Sequence, residues 1–151
     1  MSLSKNLIAG LGGAIALNIL HESVKYKHQN MPRVDKLGEE AIQKGIELAG
    51  GTRIKNERRL YGTTLAADIV SNAVYYSAIG AGGIEHVWTK AVALGIAGGA
   101  GAVILPPFMG LDPTPVTRST TTKSLTVGYY LFGALVTAAI LAGIDRAEAK
   151  R

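Results

Sequence analysis

The stretch AVALGIAGGAGAVILPPFMGL, residues 91–111, carries no charged side chain, and neither does SLTVGYYLFGALVTAAILAGI, residues 124–144. At about 1.5 Å of rise per residue, a helix of either length crosses the ~30 Å of hydrocarbon in a bilayer. Working outward from these two runs, residues 60–84 hold a single charge, Asp68. Residues 7–20 form a shorter apolar run, which lengthens if the helix continues through His21 and Glu22 to Tyr26. The expected fold is an all-α integral membrane protein of one domain, with four transmembrane helices over about 6–26, 60–84, 87–106 and 124–145.

A mean hydropathy of +0.22 conceals this segregation, because it is ordinary for a soluble domain. The 19 glycines are many for a helical protein in water and natural where helices pack closely in lipid. The absence of cysteine excludes a disulfide framework, thiol catalysis and cysteine-ligated metals. A net charge of +5 invites a nucleic-acid partner, but nine of the 16 basic residues lie in one loop between spans, residues 25–59. The bias of cytoplasmic loops toward Lys and Arg accounts for them without nucleic acid. Arg118 and Lys123 in the third connection make eleven on that side, against five on the other: Lys5, Lys90, Arg146, Lys150 and Arg151. The long basic loop is therefore expected in the cytoplasm and both termini outside. Lys5, the apolar run after it and Ala14-Ile15-Ala16 also have the layout of a signal peptide. The segment is nonetheless expected to remain as a span.

Within the basic loop, Val34, Leu37, Ala41, Ile42, Ile46 and Ala49 recur at helical spacing, with Gly38 and Gly45 on the same side. Lys36, Glu39, Glu40, Gln43, Lys44 and Glu47 take the opposite face. This pattern predicts an amphipathic helix over about 34–49, lying on the membrane surface or against the bundle, with Asp35 capping its start and Gly50-Gly51 ending it. Pro106 and Pro107 stop the third span, and Pro113 and Pro115 are expected to keep the following turn extended.

Lipid gives helices little hydrophobic reason to associate, so close backbone approach and polar contacts must hold the spans together. Ala91, Gly95 and Gly99 form one strip of small residues, and Ala134, Ala138 and Ala142 another. Gly98, Gly99 and Gly101 would admit a neighbouring backbone. The same strips offer faces for self-association, so a homo-oligomer is expected in the bilayer.

Polarity intrudes on the apolar runs in two stripes. Asn18, His21, Glu22 and Lys25 share one face of the first span, and Thr64, Asp68, Ser71, Asn72 and Tyr75 share one face of the second. A charge in the middle of a membrane costs roughly 2.5–3.5 kcal/mol on insertion scales, so these stripes should face protein or water. Counted from the loop ends of their spans, Asn18 and Asp68 lie at equal depth. Glu22 and Lys25 are expected to snorkel toward the headgroups. The candidate ligand-binding residues are Asp68, His21, Glu22, Asn18, Ser71, Asn72 and Tyr75, around a pocket open to the cytoplasm. An imidazole and two carboxylates in one place suit a proton relay or a cation. Without an H-x-x-x-H or E-x-x-H spacing, no metal is expected. Arg118, Thr122 and Lys123, at the start of the fourth span, are candidates for an anion or lipid headgroup, set against an ordinary capped helix start.

These readings lead to a membrane protein whose pocket binds or passes a small solute or ion, with Asp68 as its charged residue. Two alternatives stand beside it. One is an accessory subunit whose polar stripes only hold helices together. The other is a membrane enzyme acting on a lipid or isoprenoid, with His21 or Asp68 as general base.

Overall fold

The computed structural model describes residues 1–150 and is all-helical, with no strand among the described residues. The helices are α1 (Leu3–Val24), α2 (Val34–Leu48), α3 (Glu57–Ser77), α4 (Val87–Ile104), α5 (Thr114–Thr117) and α6 (Thr120–Glu148). Three of them, α1, α4 and α6, are long and apolar enough to cross a membrane. In α3, the charges Glu57, Arg58 and Arg59 in the first turn, with Asp68 and the neutral Asn72 further in, lower its hydropathy below that of the other three.

Several boundaries and local geometries differ from expectation. The second run ends as α-helix at Ser77, not near residue 84, passing through the 3-10 turn Ala78–Gly80 to Gly82 and Gly83, both with positive φ. The first and last helices begin earlier than expected, where Ser2 and Ser119 accept N-terminal backbone N–H groups. Asp35 does not cap α2; Arg33 occupies that position without a side-chain cap, and Asp35 pairs with neighbouring cations. Gly50 does end α2 through a left-handed φ of 79°. The turn after Pro113 is not extended but coils into α5, where Pro115 sits in the first turn without losing a helical hydrogen bond.

The long helices run alternately up and down. Gly80 meets Asn6, Ala73 and Ser77 meet Gly10, Asp68 meets Asn18, and Tyr61 meets Lys25, so α3 lies antiparallel along the whole length of α1. A second antiparallel seam joins α1 to α6 through Gly13, Gly133 and Thr137, and a third joins α4 to α6. In that third seam, a Cβ added to Gly95 would lie 2.8 Å from the Leu131 Cα, and one added to Gly99 2.5 Å from the Val127 Cα. The two small-residue strips thus pack within one copy: Ala91, Gly95, Gly99, Ala134 and Ala138 are all buried, and no longer argue for self-association. Gly98 behaves differently from expectation, facing the rings of Tyr75 and Tyr130 instead of a backbone.

Burial on α1 is inverted relative to a helix in water. Asn6, Gly10, Gly13, Asn18 and His21 face inward, while Leu3, Leu7, Ile8, Leu11, Ile15 and Ile19 are exposed. Apolar solvent around the bundle makes that arrangement favourable, since polar side chains then gain most by meeting one another.

At the opposite end from the N-terminus, α2 folds back over the bundle. Its Val34, Leu37 and Ala41 pack on Leu111 and Val116. Lys44 Nζ donates to Gly110 O at 2.9 Å, and the Asp112 N–H donates to Glu40 Oε2 at 3.0 Å. The Gln43 amide exchanges two hydrogen bonds with the Ile54 backbone, both 2.9 Å, which ties down the loop behind α2.

Candidate functional site

Although consecutive in the chain, α3 and α4 scarcely pack on each other; α1 and α6 bridge them. The Tyr75 hydroxyl of α3 donates to Leu94 O of α4 at 2.8 Å, with Gly98 beside the ring. Toward α2 the two helices part, and a groove of about 610 Å³ opens between them. Its α3 wall presents Asp68, Ser71, Asn72 and Tyr75. Its α4 wall is Ala97, Gly98, Gly101, Ala102 and Leu105, its floor includes Tyr130, and Leu37, Gly38 and Ala41 of α2 close one end. One wall is therefore polar and the rest almost wholly apolar.

Asp68 stands at the inner edge of this groove. Its Oδ2 accepts from Asn18 Nδ2 at 2.8 Å and its Oδ1 from Asn72 Nδ2 at 3.0 Å. Asn18 also donates to Ala14 O, one turn back on its own helix, so the amide that orients Asp68 is itself held. Each carboxylate oxygen keeps a lone pair for a further donor. The stripes of α1 and α3 thus meet at the depth at which counting from the loop places them.

A second, smaller cavity of about 30 Å³ lies on the other side of Asp68, lined by Asn18, His21, Glu22, Asp35, Tyr61 and Thr64 among others. Its outer wall is an ion-pair cluster. Lys25 Nζ donates to Glu22 Oε1 at 2.8 Å and lies 3.4 Å from both Asp35 Oδ2 and the Tyr61 hydroxyl. Arg33 binds Asp35 in bidentate fashion, Nε to Oδ1 at 2.9 Å and Nη2 to Oδ2 at 2.8 Å. Lys25 therefore does not snorkel outward; its side chain is 5% exposed and its charge is compensated inside, by a Glu22 side chain that stays partly exposed. Burial works to raise the Asp35 pKa, but the Arg33 hydrogen bonds and the Arg33 and Lys25 charges outweigh it and hold the carboxyl down at about 2.

That shift carries a testable pH dependence. Because the folded value lies below the ordinary 3.8, the stabilisation is complete above 3.8 and is lost as pH falls toward 2. Wild-type protein should lose about 2 kcal/mol more than Asp35→Asn across that interval. Thermal unfolding of both proteins across the acid range measures it, and parallel curves would contradict the assignment.

Of the expected ligand-binding residues, the groove brings together Asp68, Ser71, Asn72 and Tyr75, and the cavity Asp68, Asn18, His21 and Glu22. The anion candidates are arranged otherwise. The Thr122 hydroxyl binds Asn30 O at 3.0 Å and pairs with Ser119 Oγ, while Arg118 reaches Gln29 O at 2.8 Å; with exposed Lys123 they make a capped helix start tied to the first loop. Asp35, Tyr61 and the α4 wall lie outside the expected set. Asp35 is remote from α1 in sequence-pattern terms, and only the return of α2 over the bundle sets it beside His21. Among the described residues no cluster of three or more His, Asp or Glu is arranged to hold a metal. No family model matches the chain, and neither the curated proteins nor the solved structures contain a significant match to it.

Proposed function

We propose that this chain is a four-span membrane protein that binds a small amphipathic solute in the groove between α3 and α4. The solute's hydrogen-bond-donating or cationic group meets Asp68, and its apolar body lies along the small residues of α4. One observation carries the reading: a half-buried carboxylate with free lone pairs lines the inner edge of a groove whose opposite wall is Gly, Ala and Leu. The volume falls within the roughly 300–1,000 Å³ common for small-molecule sites.

The fourth span is α3. Its support is the register with α1, which runs from Asn6 opposite Gly80 to Lys25 opposite Tyr61. A helix lying along the full length of a membrane-crossing neighbour shares its depth, and Thr64 and Asn72 of the polar face of α3 are buried. On this reading α2 is an interfacial amphipathic helix over the cytoplasmic mouth, with its charged residues toward water. The chain's lack of cysteine makes the topology directly testable. Ser2→Cys should react with a membrane-impermeant maleimide on sealed cells, and Glu47→Cys only after permeabilisation. The reverse pattern overturns the orientation, and equal external labelling of both overturns the first span.

Binding is tested with purified protein in lipid nanodiscs and a long-chain alkylamine carrying a diazirine, compared with the fatty acid of equal length. Preferential capture of the amine supports the reading. Equal capture of both leaves the polar side chains as interhelical glue and favours the accessory-subunit alternative.

A further inference from the structure

Three buried side-chain polar atoms lack a hydrogen-bond partner among the described residues: Asn6 Oδ1, His21 Nε2 and Thr64 Oγ1. Two of the three belong to residues lining the same 30 Å³ cavity, and those residues are only 3% and 5% exposed. A buried donor or acceptor without a partner loses the hydrogen bonds that water would give it, so two in one small cavity call for an occupant. By this measure of volume a water needs about 10–15 Å³ and two to four polar partners. The cavity has room for one or two waters, and His21, Thr64, Asp35 and Asp68 supply the partners.

The neighbouring distances say what such water would connect. His21 Nε2 is 3.7 Å from Asp35 Oδ1, too long for a hydrogen bond, and His21 Nδ1 is 3.5 Å from Glu22 Oε1. The imidazole therefore stands between the outer ion-pair cluster and the cavity, with Asp68 on the far wall. Glu22 and Asp35 pair with the cations Lys25 and Arg33, which Glu39 also approaches, while Asp68 lines the cavity with no cation of its own beside it. Tyr61 and Tyr129 also face the imidazole, and Tyr76 and Tyr130 lie near Asp68.

We propose that the cavity holds ordered water bound to Thr64 Oγ1 and His21 Nε2, and that this water passes protons between the loop face and Asp68. In the inward step a hydronium at the loop face gives its proton to His21 Nδ1 beside the Glu22 carboxylate and is left as water. Nε2 gives its own proton to the cavity water, and that water gives one to the Asp68 carboxylate. The net change is one proton moved from the loop-face water to Asp68, with His21 left as the other neutral tautomer and reset by the reverse exchange. The inference rests on the groove reading in taking Asp68 as the solute-binding group, and it makes solute binding respond to pH on the loop side.

The test uses the full chain in lipid bilayers, titrated between about pH 5 and 8. Asp68 is followed by its carboxyl infrared band, identified by its loss in Asp68→Asn, and His21 by its ¹⁵N shift and cross-peaks to water. A water cross-peak at His21 Nε2 is expected in wild type and should disappear in Thr64→Val, which keeps the volume and removes the hydroxyl. His21→Gln should displace the Asp68 midpoint by about one pH unit. If that variant does not fold, the wild type decides the matter, because coupled sites must titrate in shared steps. A dry His21, independent titrations, or a midpoint that moves when sodium replaces choline would each overturn the relay, the last by making the cavity a cation site. Amphiphile capture is read separately, so a dry cavity in a protein that still captures the alkylamine refutes the relay and leaves the groove intact.

Discussion

A Gly13→Val substitution is expected to abolish the cooperative thermal transition of the purified protein. A Cβ at Gly13 runs into the Thr137 hydroxyl and the Gly133 carbonyl of α6, a fully buried side chain and a backbone atom. Neither can give way. Thr137 donates to Gly133 O at 3.0 Å, and Gly133 in turn faces the Tyr76 hydroxyl, which donates to Tyr130 O at 2.9 Å. Helices α1, α3 and α6 therefore meet within one turn of Gly13, and separating two of them separates all three. Overpacking a core costs about 1–3 kcal/mol where side chains can adjust. Here backbones must part and lose polar contacts as well, so the loss should exceed about 3 kcal/mol. Gly128 and Gly143 on the same α6 supply the control: an added Cβ meets nothing within 4 Å at either. Gly128→Ala and Gly143→Ala should leave the stability unchanged or raise it by up to about 1 kcal/mol, from helix propensity alone. Equal destabilisation at all three positions would show that the α1–α6 crossing is not what holds the bundle.

Asp68→Asn should leave the bundle folded and lower alkylamine capture at least about tenfold, the equivalent of ~1.4 kcal/mol. Asn preserves the size of Asp68 and one oxygen acceptor, so Asn18 or Asn72 keeps a partner while the charge goes. Loss of the second acceptor costs a modest amount of stability, about 1–2 kcal/mol. Asp68→Leu strands both amides and should lower the thermal midpoint further, with capture falling at least as far. Comparing the two separates roles. If Asp68 only joins α1 to α3, thermal stability falls in both variants while capture by the folded protein is unchanged.

The contact between Asn18 and Asp68 was legible because lipid leaves polar side chains few alternatives. Two stripes on consecutive antiparallel helices, at equal depth from the connecting loop, have little choice but to face each other, and they do so at 2.8 Å. The small-residue strips were legible for the same reason, although whether they pack within one copy or between copies could not be read from spacing. The groove itself was hidden. Helices joined by a short connection usually pack together, and nothing in the pattern of α3 or α4 announces that the rings of Tyr75 and Tyr130 fill against Gly98 and hold the walls apart. Asp35 was hidden too, since its place beside His21 depends on α2 folding back on Leu111 and Val116. Its position at the start of α2 made capping the simplest local role, and the nearby Arg33 and Lys25 overrode it.

Where the alkylamine cross-links is the most direct measurement of the central claim. Peptide mass spectrometry of the photolysed nanodisc sample locates the modified residues on the chain. Binding in the groove predicts adducts on Tyr75, Ala97, Ala102 and Leu105, competed away by unlabelled amine and lost in Asp68→Asn. Adducts spread over the outward residues Ile8, Ile15, Ile19 and Val92, uncompeted and unchanged by Asp68→Asn, would mean that the amine is only bulk lipid and that the groove binds nothing.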